Sequence, residues 1–186
     1  MTIFSLFCRA NAFDQQFAQI RPKLYRTAYS WCHNAAIADD LVQEALTKGI
    51  KSVAQLHDPA QFNSWLFRIM TNCWRDYFRQ HREMDDIDDM DDCLCVNDIT
   101  PEDEHAQSQI IYRVREAIMK LPMGQRQVVT LVDLEEFSYA EVAMILAIPV
   151  GTVMSRLCRA RQLLQTLLKA HAPQMTTKNG LLRRVK

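Results

Sequence analysis

Apolar residues return every three or four positions along almost the whole chain, and no stretch keeps the two-residue period of a strand. Only four glycines and six prolines interrupt this pattern over 186 residues. A chain of this kind buries its apolar surface by packing helix against helix, so the expected fold class is all-α. Phe13, Phe17, Ile20, Leu24, Ala28 and Trp31 form the first amphipathic face, and Pro22 predicts a kink or a break near Ile20–Pro22. A second helix is expected from about Ala36 to Val53, with Ile37, Leu41, Ala45 and Leu46 facing inward. The turn-favouring His57-Asp58-Pro59 marks a loop at Gln55–Gln61, followed by an aromatic-rich helix from Phe62 to about Arg82.

The pattern then fails. Met84 to Pro101 has the composition of a solvated, self-repelling linker. Between Glu83 and Glu104 stand eleven acidic residues and no Lys or Arg. They are half of the chain's 22 acids, so against 22 Lys and Arg the remainder carries a surplus of eleven positive charges. The zero net charge therefore averages two basic ends with an acidic middle, so the balance does not argue against a nucleic-acid partner and the asymmetry is the more informative quantity. Pro101-Glu102-Asp103-Glu104 suits the first turn of a further helix through Ile110, Ile111, Val114, Ile118 and Leu121, stopped by Pro122. Gly124–Glu135, Tyr139–Leu146 and Val150–Leu168 are expected to follow as helices. The organisation expected is two small helical domains, 10–83 and 106–170, an acidic flexible linker at 84–105, and a tail at 171–186.

The C-terminal domain contains the sharpest local signal. Ser138-Tyr139-Ala140-Glu141 fits a capping box that opens a short helix. Ala147-Ile148-Pro149 turns the chain into the next helix. At 100° per residue, Val153, Leu157, Ala160 and Leu164 make one stripe of that helix. Thr152, Ser155, Arg156 and Arg159 make another, and no acid occurs from Val150 to Ala170. One stripe can pack while the other, polar and cationic, enters a major groove. A plain helical hairpin with a solvated basic face accounts for the same spacing.

The residues themselves go further. The run Ser138-Tyr139-Ala140-Glu141-Val142-Ala143-Met144-Ile145-Leu146-Ala147-Ile148-Pro149-Val150-Gly151-Thr152-Val153-Met154-Ser155-Arg156-Leu157-Cys158-Arg159-Ala160-Arg161 closely resembles the promoter-recognition domain of extracytoplasmic-function sigma factors. Leu121-Pro122 and Gln125-Arg126-Gln127-Val128-Val129 resemble the helix that leads into it. Ala147 stands where a turn glycine is frequent, a mild strain, and Met154 stands where Lys or Arg is frequent, which removes a phosphate contact. The resemblance implies that Thr152, Ser155, Arg156 and Arg159 read the −35 element.

The first half resembles the same family. Asp39-Asp40-Leu41-Val42-Gln43-Glu44 is similar to the polymerase-binding segment, which implies that Asp40, Leu41, Gln43 and Glu44 contact core RNA polymerase. Carboxylates and amides there suit arginines on a partner, although for the segment taken alone a solvated acidic helix face is the simpler account. Phe62-Asn63-Ser64-Trp65-Leu66-Phe67-Arg68-Ile69-Met70-Thr71-Asn72-Cys73-Trp74-Arg75-Asp76-Tyr77-Phe78-Arg79 resembles the family's −10 recognition and melting helix. Arg68, Arg75, Arg79 and Arg82 fall on one side of a helical wheel, interleaved with Trp74, Tyr77 and Phe78. Basic grooves with aromatic platforms capture unpaired bases, and the same aromatics also suit a bundle core. The resemblance implies −10 contacts from Asn63, Arg68, Asn72, Trp74, Arg75, Tyr77 and Arg79, and a base pocket in the loop Leu56–Asn63. For the acidic segment it implies mimicry of nucleic acid along the polymerase's RNA-exit path, beside the plainer reading as an extended spacer.

No nucleotide-binding glycine loop, metal cluster or nucleophile–base pair is present, so no cofactor, no metal and no enzymatic activity are expected. Cys93-Leu94-Cys95 lacks a second ligand pair and reads as two linker thiols rather than a zinc or redox site. No apolar run is long enough for membrane insertion, and Met1–Arg9 lacks a secretory leader, so a cytoplasmic protein with reduced cysteines is expected. The partners implied are core RNA polymerase, promoter DNA and an anti-sigma factor. The rivals are a conventional operator-binding regulator, a decoy that sequesters an anti-sigma factor, and a redox-responsive thiol protein.

Overall fold

A computed structural model describes residues 3–82 and 106–170, and every regular element among them is helical. The first half holds α1 (Ile3–Cys32), α2 (Ala35–Ser52) and α3 (Phe62–Arg82). The second holds α4 (Ala106–Met119), α5 (Met123–Val129), α6 (Tyr139–Leu146) and α7 (Val150–Ala170). The segment 83–105, with Cys93 and Cys95, and the tail 171–186 lie outside the described residues.

Along α1 the buried side chains are Phe17, Ile20, Leu24, Ala28 and Trp31, the stripe the periodicity defines. The helix is continuous from Ile3 to Cys32, so no break forms at Pro22. Pro22 and Ala18 both face solvent, where water can satisfy the carbonyl that the missing N–H leaves free. His33 turns the chain at φ 51°, and the Asn34 side chain caps α2 by accepting from the Ile37 amide at 3.1 Å. Gly49 lets α2 close on its neighbours: a Cβ there would stand 2.6 Å from Leu66 Cδ1 and 3.1 Å from Phe17 Cε1. The loop before α3 is two short 3₁₀ turns, Val53–Gln55 and Pro59–Gln61. Asp58 caps the second by accepting from the Ala60 amide at 3.0 Å.

In the second half the helix expected over Gly124–Glu135 is divided: α5 ends at Val129 and a π-turn spans Thr130–Leu134. The Thr130 hydroxyl back-bonds to the Arg126 carbonyl at 2.9 Å, and the Glu135 amide reaches the Thr130 carbonyl at 3.1 Å. The capping box is formed, with Glu141 N donating to Ser138 Oγ at 3.3 Å and Ser138 N to Glu141 Oε2 at 2.8 Å. Ala147 ends α6 in the left-handed region, φ 50° and ψ 50°, where glycine would be unstrained. Val153, Leu157 and Ala160 anchor α7 in the core, with Leu164 half-buried.

The two halves share one apolar core, running from Phe17 and Leu24 through Met70 and Trp74 to Leu146 and Val153. Trp31 Nε1 donates to Thr130 Oγ1 at 2.8 Å, and Arg126 Nη1 donates to the Trp31 carbonyl at 2.8 Å. The Phe67 and Phe137 rings meet edge-on at 5.0 Å. Thr27 Oγ1 donates to Glu135 Oε1 at 3.1 Å, and Arg26 lies 4.0 Å from the same carboxylate.

Candidate nucleic-acid interface

The presenting helix of the second half is α7. Its inward residues fix its roll, so Ser155 and Arg159 emerge into solvent while Thr152 and Arg156 are half-buried. Arg159 Nε donates to the Ser155 carbonyl at 3.3 Å, which leans the guanidinium along the helix toward its N-terminal end. Arg156 lies over Gly124, where a Cβ would come within 3.0 Å of its guanidinium. Arg161 is engaged elsewhere: both Asp133 carboxylate oxygens accept from it, at 3.2 and 2.5 Å. That bond to Asp133 raises the Arg161 pKa above its ordinary value. Met154 is exposed beside the stripe.

On α3, Asn63, Arg68, Asn72, Arg75 and Arg79 are all exposed. Arg79 pairs with Asp76 at 3.1 Å, and the Arg75 guanidinium donates to the Leu146 carbonyl at the end of α6. Trp74 is on the other side of the balance, only 4 % exposed. Its ring stacks on Tyr77 at 6.0 Å, meets Phe78 edge-on at 4.8 Å and approaches Trp31 at 6.4 Å. Tyr77 is half-buried, and Phe78 is the aromatic that α3 leaves most open, at 44 %. The Arg82 side chain lies outside the described residues.

A cleft of about 280 Å³ opens where α1 passes the loop before α3, lined by Gln16, Gln19, Ile20, Lys23, Pro59, Ala60, Phe62 and Asn63. Asn63 and the loop are legible in the sequence; the α1 wall is not. Its signal is a polar stripe, Gln16, Gln19 and Lys23, at helical spacing beside the apolar one. Gln16 Oε1 is buried and takes no hydrogen bond from the described residues.

On α2, Asp39, Asp40, Gln43 and Glu44 are exposed, and Glu44 pairs with Lys48 at 2.7 Å. Leu41 is 2 % exposed, so it seats the helix rather than facing outward. Two groups lie where the halves meet. Burial, with the Arg126 guanidinium nearby, lowers the His33 pKa to about 4. Burial raises the Glu135 carboxyl above its ordinary value, against the pull of Thr27 and Arg26. Among the described residues, no group of His, Cys, Asp or Glu is placed to hold a metal ion. No single described helix is long and apolar enough to cross a membrane.

Residues 17–84 match the family model for sigma-70 region 2, and residues 111–164 match sigma-70 region 4. The chain is 34% identical over 157 residues to the ECF RNA polymerase sigma factor SigM of Mycobacterium tuberculosis, covering 84% of this chain and 77% of that one. It is 33% identical over 165 residues to the ECF RNA polymerase sigma factor SigE of Mycolicibacterium smegmatis, covering 88% of this chain but only 64% of that relative's length. Among solved structures, the sigma factor RpoE of Bartonella quintana, in complex with the anti-sigma factor NepR, superposes with a TM-score of 0.73 at 28% identity. That match covers 86% of this chain and 98% of the other.

Proposed function

Because the chain belongs to the extracytoplasmic-function sigma factors, we propose that it binds core RNA polymerase and directs promoter-specific initiation, acting in the cytoplasm on a stress- or signal-responsive set of genes. The observation that carries this reading is the pairing, in one chain, of two separate cationic helix faces, α3 and α7. An operator-binding regulator needs only the second.

Each surface has a role. The exposed Asp40, Gln43 and Glu44 of α2 offer acceptors to arginines of the polymerase, with Leu41 holding the helix in place. Ser155, Arg156, Arg159 and Thr152 on α7 read the −35 element from the major groove. Arg68, Asn72, Arg75 and Arg79 track the −10 backbone and bases, while Trp74 and Tyr77 stiffen the helix behind them. The cleft beside Asn63 takes the unpaired −10 base. Its amides supply both donors and acceptors for a base edge, and Lys23 supplies a cation for the phosphate. The sigma factor RpoE of Bartonella quintana was solved with an anti-sigma factor, and an anti-sigma factor is the expected regulator of this chain as well. The family consists of initiation factors, so polymerase supplies the chemistry.

Run-off transcription is the direct test. Adding the purified chain to core polymerase is expected to yield discrete promoter-specific transcripts. A chain that neither joins core enzyme nor produces a transcript is not a sigma factor. A chain that binds operator DNA tightly alone, indifferent to polymerase, is a conventional regulator.

A further inference from the structure

Seen down its axis, α7 presents more to solvent than its polar and cationic stripe. At about 100° per residue the exposed Ser155 and Arg159 stand roughly 40° apart, a ridge on the side away from Val153, Leu157 and Ala160. Thr152 and Arg156 make one flank of that ridge, and it is polar. Cys158 and Met154 make the other, about 60° and 100° round from Ser155. Both are exposed, Met154 at 48 %. This second flank is apolar, and it opens into a groove of about 500 Å³ walled by Tyr139, Met154, Leu157, Cys158 and Arg161. The Arg161 charge is already answered by Asp133, so the groove adds apolar surface beside the ridge without a free cation.

What covers this flank follows from the dimensions of the partner. A major groove is about 12 Å wide and a helix with its side chains about 10–12 Å across, so a helix seated on its ridge meets the groove on both flanks. The base edges there display donors, acceptors and one apolar group, the C5-methyl of thymine. Phosphates and polar edges gain nothing from a thioether, whereas a methyl buried against one leaves water. We propose that Met154 and Cys158 form a methyl-reading flank of α7, which recognises thymine in the −35 element by its C5-methyl; the proposal rests on the sigma-factor reading. The helix then reads with two chemistries, hydrogen bonds from the ridge and the polar flank, and apolar contact from the other. A cation at 154, frequent in the family, is drawn to a phosphate and carries no sequence information. Methionine there turns a positioning contact into a specifying one.

The test uses holoenzyme assembled from the full chain and core polymerase, with a promoter selected from a library randomised at −35. Each thymine of the selected element, on either strand, is replaced in turn by deoxyuridine. The exchange deletes the methyl and keeps the base pair and its O4 acceptor. One buried methyl is worth roughly fourfold in affinity, so a loss of about that size is expected at one or two positions. Met154→Gln/Cys158→Ser makes the flank polar at nearly constant side-chain size, and both positions are exposed, so the melting curve is expected to hold. In that variant the penalty for uracil is expected to vanish. Holoenzyme that binds thymine and uracil duplexes alike at every position overturns the proposal, the result expected if the flank receives a protein instead. A selected element without an A·T pair overturns it too. So does a penalty undiminished in the double variant, because the methyl is then felt through the shape of the duplex. Failure of the holoenzyme to tell promoter from scrambled duplex instead removes the sigma-factor reading and this proposal with it.

Discussion

Two cationic helices, α3 and α7, divide their labour differently. On α7 the packing stripe of Val153, Leu157 and Ala160 and the outward stripe of Ser155 and Arg159 hardly touch each other's business. On α3 the division is blurred. Arg68, Asn72 and Arg79 are open to solvent, but Arg75 leans on Leu146 and Trp74 belongs to the core that both halves share. A helix that reads closed duplex can keep its working face independent of its fold. One that must also seat against a partner domain draws function and stability from neighbouring side chains.

The comparison predicts opposite phenotypes. Trp74→Ala is expected to cost about 3–5 kcal/mol of stability through the cavity it leaves, lowering the melting temperature by several degrees or more. If a melting curve is unchanged while permanganate reactivity at −10 is lost, Trp74 works as a base platform and the two helices are alike after all. Arg159→Ala is expected to leave the melting curve in place and weaken −35 binding by roughly 1–3 kcal/mol, with relaxed sequence preference. A uniform loss on all sequences would make Arg159 a phosphate contact.

Acid probes the seam rather than either helix. His33 holds its folded pKa near 4, below its ordinary 6.5, so the unfolded or opened chain binds the extra proton between those values. The stability it lends is complete above about pH 6.5 and is lost as pH falls toward 4, an effect of order 1–2 kcal/mol in denaturant titrations. Glu135, its carboxyl raised by burial, works the other way, so His33→Gln is expected to flatten the fall or reverse it. Ser138→Ala is the smallest change, about 1 kcal/mol from the lost cap, read as a shift in denaturant midpoint with unchanged slope.

Much of this was legible because it is local. The box Ser138–Glu141, the turn at Ala147 and the stripe from Val153 to Ala160 are each set by residues within a turn or two of one another, and each is found where the spacing puts it. The bounds of α3, Phe62 to Arg82, follow from Asp58-Pro59 before it and the acidic run after it. Periodicity says that a face is buried, not against what. Trp31 meets Thr130 across 99 positions, and nothing near either residue announces the other. The Trp74 environment and the α1 wall of the cleft depend on such distant pairings. At Pro22 the break expected from local rules is absent because the lost bond falls on the wet side of α1.

The clamp of Asp133 on Arg161 bears on how DNA binding by the second half responds to salt. Each phosphate neutralised by a free cation releases condensed counterions and steepens the logarithmic dependence of affinity on salt by about 0.9. Of the three arginines on α7, Arg161 already has its counter-charge supplied from within the protein. If α7 reads DNA as proposed, the helix displaces fewer ions than its arginines suggest, and its hold on the duplex is expected to erode more gently as ionic strength rises.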